Sequence, residues 1–90
     1  MKYRSRSDIV AMMLESARAG ATKTKIMYKA YLSYFQVVEY LEYLQQNDLI
    51  ACEQGTQLYR PTEKGLKLLK MTNDLNEMAT VTNSKYNLNS

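Results

Sequence analysis

A mainly α-helical fold closed by one small β-hairpin is what this sequence predicts, and three observations predict it. Apolar residues recur at a helical period in three segments before residue 47, two short alternating segments flank Gly55, and a long amphipathic stretch follows the single proline, Pro61. Ninety residues make one domain, whose modest core leaves little room for a buried catalytic pocket. A chain that is 46% hydrophobic and 23% charged, with three glycines, belongs to the folded, helix-rich class rather than the disordered one.

The run SDIVAMMLESARAG places Ile9, Met12, Met13 and Ala17 on one face, with Ser5 or Ser7 as cap, Asp8 in the first turn and Gly20 at the end. Thr22 or Thr24 opens a shorter helix through KTKIMYKA, whose inward residues are Ile26 and Ala30, four apart. The stretch LSYFQ then combines two start signals. Ser33 and Gln36 form a capping box, while Leu32 and Val37 occupy the positions of a hydrophobic staple. A third helix therefore starts at Ser33, with a buried stripe of Val37, Tyr40, Leu41 and Leu44 and a left-handed stop at Asn47. LIACE and QLYRP make a hairpin around Gln54, Gly55 and Thr56, with the glycine supplying a positive φ. Pro61 ends the second strand and Thr62 caps the last helix.

Helix, helix, helix, strand, turn, strand, helix is the order of a winged helix-turn-helix with an added C-terminal helix. The expected divisions are a basic arm at 1–6, the winged helix-turn-helix at 7–65, a dimerisation helix at 66–80, and a polar, asparagine-rich flexible tail at 81–90. In the last helix Leu66 and Leu69 face the domain. Leu68, Met71, Leu75, Met78 and Thr82 alternate steps of three and four, a heptad seam of about two repeats. Such a seam pairs with the same helix of a second copy or packs on the first helix of its own chain, and the homodimer is the expectation.

The formal net charge of +3 conceals an asymmetry. Residues 1–30 carry Lys2, Arg4, Arg6, Arg18, Lys23, Lys25 and Lys29 against Asp8 and Glu15, whereas 31–58 carry only Glu39, Glu42, Asp48 and Glu53. Basic residues return in 59–70 with Arg60, Lys64, Lys67 and Lys70 against Glu63. Clusters of this kind suit a phosphate-binding surface, and equally a solvated charged face. Cys52 is alone and reads as a small apolar residue in a reducing compartment. With no signal-peptide pattern and no run approaching 18 apolar residues, the expected setting is the cytoplasm, at the nucleoid, without a membrane partner. Histidine is absent, and there is no glycine-rich phosphate loop or spaced metal-ligand set, so neither an enzyme nor a cofactor is expected.

KTKIMYKAYLSYFQVVEYLEYLQQNDLI followed by LYRPTEKGLKLL, with Arg4-Ser5-Arg6 ahead of an Asp-Ile helix start, carries a resemblance over about residues 4 to 78. The chain resembles the archaeal winged helix-turn-helix family of ArnR-like regulators and small basic chromatin-associated proteins that dimerise through a C-terminal antiparallel coiled coil. The resemblance implies a homodimer bound to double-stranded DNA, as a transcriptional regulator or chromatin-associated protein, with no cofactor or small-molecule ligand. A protein-interaction dimer with weak or no DNA binding is the rival.

On that reading the start of the third helix faces the major groove and exposes Tyr34, Phe35, Gln36, Val38 and Glu39. Tyr34 donates to a phosphate, Gln36 could read adenine if its capping role releases it, and Phe35 and Val38 meet thymine methyl groups or a protein partner. Glu39 and Glu42 oppose phosphates where the resembled family has basic or neutral residues. Lys23, Lys25 and Lys29 on the second helix, Lys2, Arg4 and Arg6 in the arm, and Arg60 on the wing are the expected phosphate contacts. Tyr28 and Tyr31 are expected to lay their rings on the core, and Tyr59 to be buried.

Overall fold

The computed structural model describes the backbone of residues 4–89 and the side-chain surroundings of residues 4–78. Lys2, assigned to the basic arm, lies outside the described residues. Four helices and one hairpin follow in the predicted order: α1 (Arg6–Ser16), α2 (Lys23–Lys29), α3 (Tyr34–Gln46), β1 (Ile50–Cys52), β2 (Tyr59–Pro61) and α4 (Glu63–Asn89).

Local chemistry accounts for each start. Ser5 caps α1 in a reciprocal box: the Asp8 N–H donates to Ser5 Oγ at 3.1 Å, and the Ser5 N–H donates to the Asp8 carboxylate at 3.1 Å. Arg6 is thus the first residue of α1 and not part of an arm. Thr22 caps α2, accepting from the Lys25 N–H at 3.2 Å. Ser33 and Gln36 form the predicted box at the head of α3, and the staple residues Leu32 and Val37 are both buried.

The stops differ from the sequence expectation. Both α2 and α3 end in Schellman turns, with Tyr31 (φ 56°) and Asp48 (φ 59°) in the left-handed position. In each the following leucine reaches back five residues, Leu32 N–H to Met27 O at 2.9 Å and Leu49 N–H to Leu44 O at 2.8 Å. The stop of α3 therefore falls at Asp48 rather than Asn47, whose side chain instead donates to Tyr43 O at 2.8 Å. Asn47 keeps φ near −96° because the six-to-one bond closes around its neighbour.

The sheet pairs Ile50 with Pro61, Ala51 with Arg60 and Cys52 with Tyr59, antiparallel. A further, single-residue bridge joins it, since Ala21 and Tyr59 exchange both backbone hydrogen bonds at 3.0 and 2.8 Å. This bridge fastens the α1–α2 connection to the hairpin; Tyr59 is half-buried where the sequence reading expects it buried.

One core lies at the meeting of α1, α2, α3 and the first turns of α4. Met13, Leu14, Ile26, Val37, Leu44 and Leu69 are its most enclosed side chains, each contributing about 1.5–3 kcal/mol through loss of apolar surface to water. The predicted inward residues Ile26, Ala30, Val37, Leu41 and Leu44 are buried, while Tyr40 is half-buried. Tyr28 and Tyr31 do not lie on the core: they are 70% and 78% exposed, because the α2 face that reaches the core is already filled by Ile26 and Ala30.

Helix α4 begins at Glu63, inside the range expected for the winged unit, and its helical backbone continues to Asn89 across the segment expected to be a tail. No glycine or proline follows Gly65 to interrupt it. Leu69 packs into the core, but Leu66 is exposed, so only one of the two predicted inward leucines faces the domain. Leu68 is half-buried against the core and is drawn out of the seam, whereas Met71, Leu75 and Met78 stand 61–65% exposed. None of these three is covered by α1 of the same chain. Among the described residues, no helix is long and apolar enough to cross a membrane.

The head of α4 is attached where α3 ends. Thr62 donates through its N–H to Leu49 O at 3.0 Å and through Oγ1 to Asp48 O at 2.6 Å, and accepts at Oγ1 from the Gly65 N–H at 3.0 Å. A Cβ at Gly65 would stand 2.0 Å from the Leu49 carbonyl oxygen, which is backbone and cannot swing aside. Gly65→Ala is expected to lower the unfolding free energy by roughly 1–3 kcal/mol or more, as overpacking does. Urea denaturation measures it, and a variant as stable as the parent would show that α4 does not approach Leu49 this closely.

Candidate nucleic-acid interface

The exposed arc of α3 is built by its own burial pattern. With Val37, Leu41 and Leu44 turned inward, Tyr34, Phe35, Gln36, Glu39 and Glu42 face outward. Val38 is half-buried and packs on the core, so it drops out of the predicted reading arc: it is adjacent to Val37 and Leu41 and shares their surroundings. Gln36 holds the Ser33 N–H through Oε1 at 2.9 Å, the capping role that competes with base reading.

At the head of α3 the aromatic pair is ordered. The rings of Tyr34 and Phe35 meet edge to face at a centroid separation of 6.2 Å, and the Lys23 ammonium stands 5.8 Å from the Tyr34 ring centre. That approach ties the first turn of α2 to the first turn of α3. Lys23 also borders two shallow grooves, one shared with Thr22, Thr56, Gln57 and Tyr59 of the wing side, the other with Val38, Glu42 and Gln45.

The predicted cations separate into two groups. Arg4 is turned inward: its guanidinium donates to Ala30 O and, at 2.7 Å, to Tyr31 O, and lies 3.3 Å from Met12 Sδ. A positive charge on the cap carbonyls just past α2 completes the end of a helix whose left-handed residue is a tyrosine. Arg6 lies over the rings of Tyr40 and Tyr43 at 5.8 and 5.2 Å. Arg60 pairs with Glu53 at 2.7 Å across the hairpin and covers Gly20, whose added Cβ would meet its guanidinium at 2.9 Å. Arg4, Arg6 and Arg60 are thus engaged within the fold, Arg4 and Arg6 by partners too distant in sequence for local pattern to find and Arg60 by Glu53 across the hairpin. Lys23, Lys25 and Lys29 make no ion pair among the described residues. Lys29 differs from the other two in position, bordering a groove with Asp8, Glu15 and Asn73 between α1 and α4.

A family model for winged helix-turn-helix proteins matches residues 3–80. The chain belongs to this winged helix-turn-helix family. Among solved structures it is similar to Sso10a-2, a DNA-binding protein from Sulfolobus solfataricus, at TM-score 0.73 and 20% identity, with 93% of this chain and 94% of that one covered. It is also similar to ZitR of Lactococcus lactis, wild type, at TM-score 0.71 and 22% identity. The likeness extends to the ZitR complex with DNA, at TM-score 0.70 and 22% identity. All of this chain is covered by those two matches, and it spans 64% and 65% of the ZitR chains. At these identities the likeness shows the fold. No curated protein sequence matches the chain.

In winged-helix terms, α2 and α3 are the helix-turn-helix and the β1–β2 hairpin is the wing. Glu53 organises the wing tip, accepting from Arg60 Nε at 2.7 Å and from Thr56 Oγ1 at 2.9 Å. Those hydrogen bonds, Arg60 first, hold its carboxyl below the usual carboxylate value. Because the folded pKa is depressed, the pairing stabilises the wing above the ordinary carboxylate range and is lost as pH falls through the folded pKa. A carbon-detected NMR titration of the Glu53 carboxyl should show the lowered midpoint, and Arg60→Gln should return it towards 4.5, the ordinary glutamate value. An unchanged midpoint in the variant would remove Arg60 as the cause.

Proposed function

We propose that the protein binds double-stranded DNA as a homodimer, as a transcriptional regulator or chromatin-associated protein working without a cofactor and without catalysis. The observation that carries this reading is the Lys23 ammonium held over Tyr34. It sets an unpaired cation at the exposed head of α3, the end of a recognition helix that meets base edges while its flanks meet phosphates. Lys25 extends the positive flank, and the Tyr34 hydroxyl is a further phosphate donor. Support comes also from the neighbours: Sso10a-2 is described as DNA-binding, and ZitR is seen with DNA. The setting that follows is cytoplasmic, at the nucleoid.

The homodimer rests on Met71, Leu75 and Met78, three large apolar side chains in heptad register and exposed on one helix. Leu68 contributes only at the domain end of this seam. Antiparallel pairing is the sense that the resembled family suggests. A second reading, a protein-binding winged-helix dimer, is favoured by Glu39 and Glu42, both exposed on the helix that would approach phosphates.

Salt separates the two readings. Duplex DNA should bind in a mobility-shift assay at low salt, with affinity falling as salt rises, since neutralised phosphates release counterions. Lys23→Ala with Lys25→Ala should weaken binding to all sequences alike and flatten the log–log salt dependence by about 0.9 for each phosphate left without its lysine. No binding at low salt, or binding indifferent to salt, overturns the DNA reading.

The dimer has its own test. Leu75→Lys puts a charge in the seam without touching the core, so it should yield a folded monomer by sedimentation and circular dichroism. A dimer that survives it is not paired through Met71, Leu75 and Met78.

A further inference from the structure

Resting on the DNA reading, we infer that Phe35 is a specificity-determining residue that recognises the C5-methyl group of a pyrimidine in the major groove. Two sources of that chemistry exist in DNA, thymine and 5-methylcytosine, and both present the methyl at the same place on the groove floor.

Phe35 is the second residue of α3 and, at 85%, the most exposed large hydrophobic side chain among the described residues. Its ring is braced edge to face by Tyr34, which Lys23 in turn covers, so the apolar surface is held out in a preferred orientation. The rest of the arc restricts what else α3 can read. No lysine or arginine occurs between Tyr34 and Gln46, so the helix lacks the usual bidentate donor to guanine N7 and O6. Gln36, the side chain suited to adenine, has its Oε1 engaged by the Ser33 cap, and Glu39 and Glu42, acceptors only, can take at most a cytosine amino group. What remains at the front of the helix is an apolar surface, and the one base feature in the major groove that rewards an apolar neighbour is the pyrimidine methyl. The occupant is DNA rather than a protein surface because the aromatic pair sits beside Lys23, a cation with no ion-pair partner among the described residues.

The test uses the full-length protein with four alternating duplexes of equal length: dA-dT against dA-dU, and dG-dC against its C5-methylated form. Within each pair only the methyl changes. The parent protein should bind the methylated member about fourfold more tightly for each methyl touched, the scale of burying one methyl group. Phe35→Ala should lose that gain, weakening binding to the methylated member about fourfold for each methyl touched and bringing the ratio close to one with the salt dependence unaltered, and Phe35→Leu should retain part of the preference. A preference in the A·T pair alone confines the recognition to thymine, and a preference in both pairs extends it to 5-methylcytosine. A parent ratio of one in both pairs, with duplex binding intact, overturns the role of Phe35 and leaves its ring to a protein partner. The same ratio in parent and Phe35→Ala also overturns it, assigning the preference to duplex shape. Absence of binding to every duplex overturns the DNA reading itself, and this inference with it.

Discussion

The corner where α3 ends and α4 begins is the constraint on which the arrangement depends. Three successive carbonyls leave the end of α3, those of Asn47, Asp48 and Leu49, and each is met by a donor from the head of α4: Lys64 Nζ at 3.0 Å, Thr62 Oγ1 at 2.6 Å and the Thr62 N–H at 3.0 Å. These carbonyls belong to the cap of α3 and the two residues after it, where the chain has left the helix and its carbonyls need other donors. Satisfying them on one turn of the next helix ties the direction of α3 to that of α4, and Gly65 lets the two backbones come close enough to do it. The wing leaves from the same corner, since Ile50 follows Leu49 directly and pairs with Pro61.

A second constraint is the partition of charge. Among the described residues several cationic side chains are engaged locally: Arg4 on the carbonyls just past α2, Arg6 on two tyrosine rings, Arg60 on Glu53, Lys64 on Asn47 O, Arg18 on Glu15 and Lys70 on Asp74. Each such use fixes the side chain in place, but only Arg60, Arg18 and Lys70 meet an opposite charge; Arg4, Arg6 and Lys64 keep theirs while their donors are turned to the fold. Exposed ion pairs such as Arg60–Glu53 contribute little to stability, but that pairing leaves the wing less positive than its sequence suggests. On the helix-turn-helix the lysines of α2 are the cations that make no ion pair among the described residues, and the acidic residues of α3 stand next to them. Net charge is a poor guide to such a surface; which cations lack partners is a better one.

Legibility in the sequence follows the range of the interaction. Caps that act over three residues are readable, as Ser33 with Gln36 and Ser5 with Asp8 demonstrate, and so are the apolar stripe of α3 and the hairpin around Gly55. The helix stops are harder because Tyr31 and Asp48 adopt positive φ without being glycine or asparagine, and only the leucines behind them, closing the six-to-one bonds, reveal why. The rung between Ala21 and Tyr59 joins residues 38 apart and has no local signature. Charge alone assigns Arg4 to an arm, whereas the carbonyls that hold it lie 26 and 27 residues away. At the site, Tyr34 and Phe35 are legible as exposed because the inward period of α3 leaves them no other place, but the bracing by Lys23 requires the two helices to be set side by side.

The proposed dimer would turn the corner at Gly65 into a measure of spacing. From Gly65 to Leu75 an α-helix rises about 15 Å. Two α4 helices crossing antiparallel at Leu75 would place their heads, and the α3 helices fixed to them, about 30 Å apart, close to the roughly 34–36 Å that separates successive major-groove half-sites on one face of DNA. Parallel pairing would bring the two heads to within about 8–10 Å, the distance between packed helix axes, too close for two recognition helices to enter separate turns of the groove. The withdrawal of Leu68 into the domain matters for the same reason. With Leu68 half-buried and Met71 the first well-exposed position, the seam of such a dimer would lie farther out along α4, and the spacing would be longer than a seam starting at Leu68 would set.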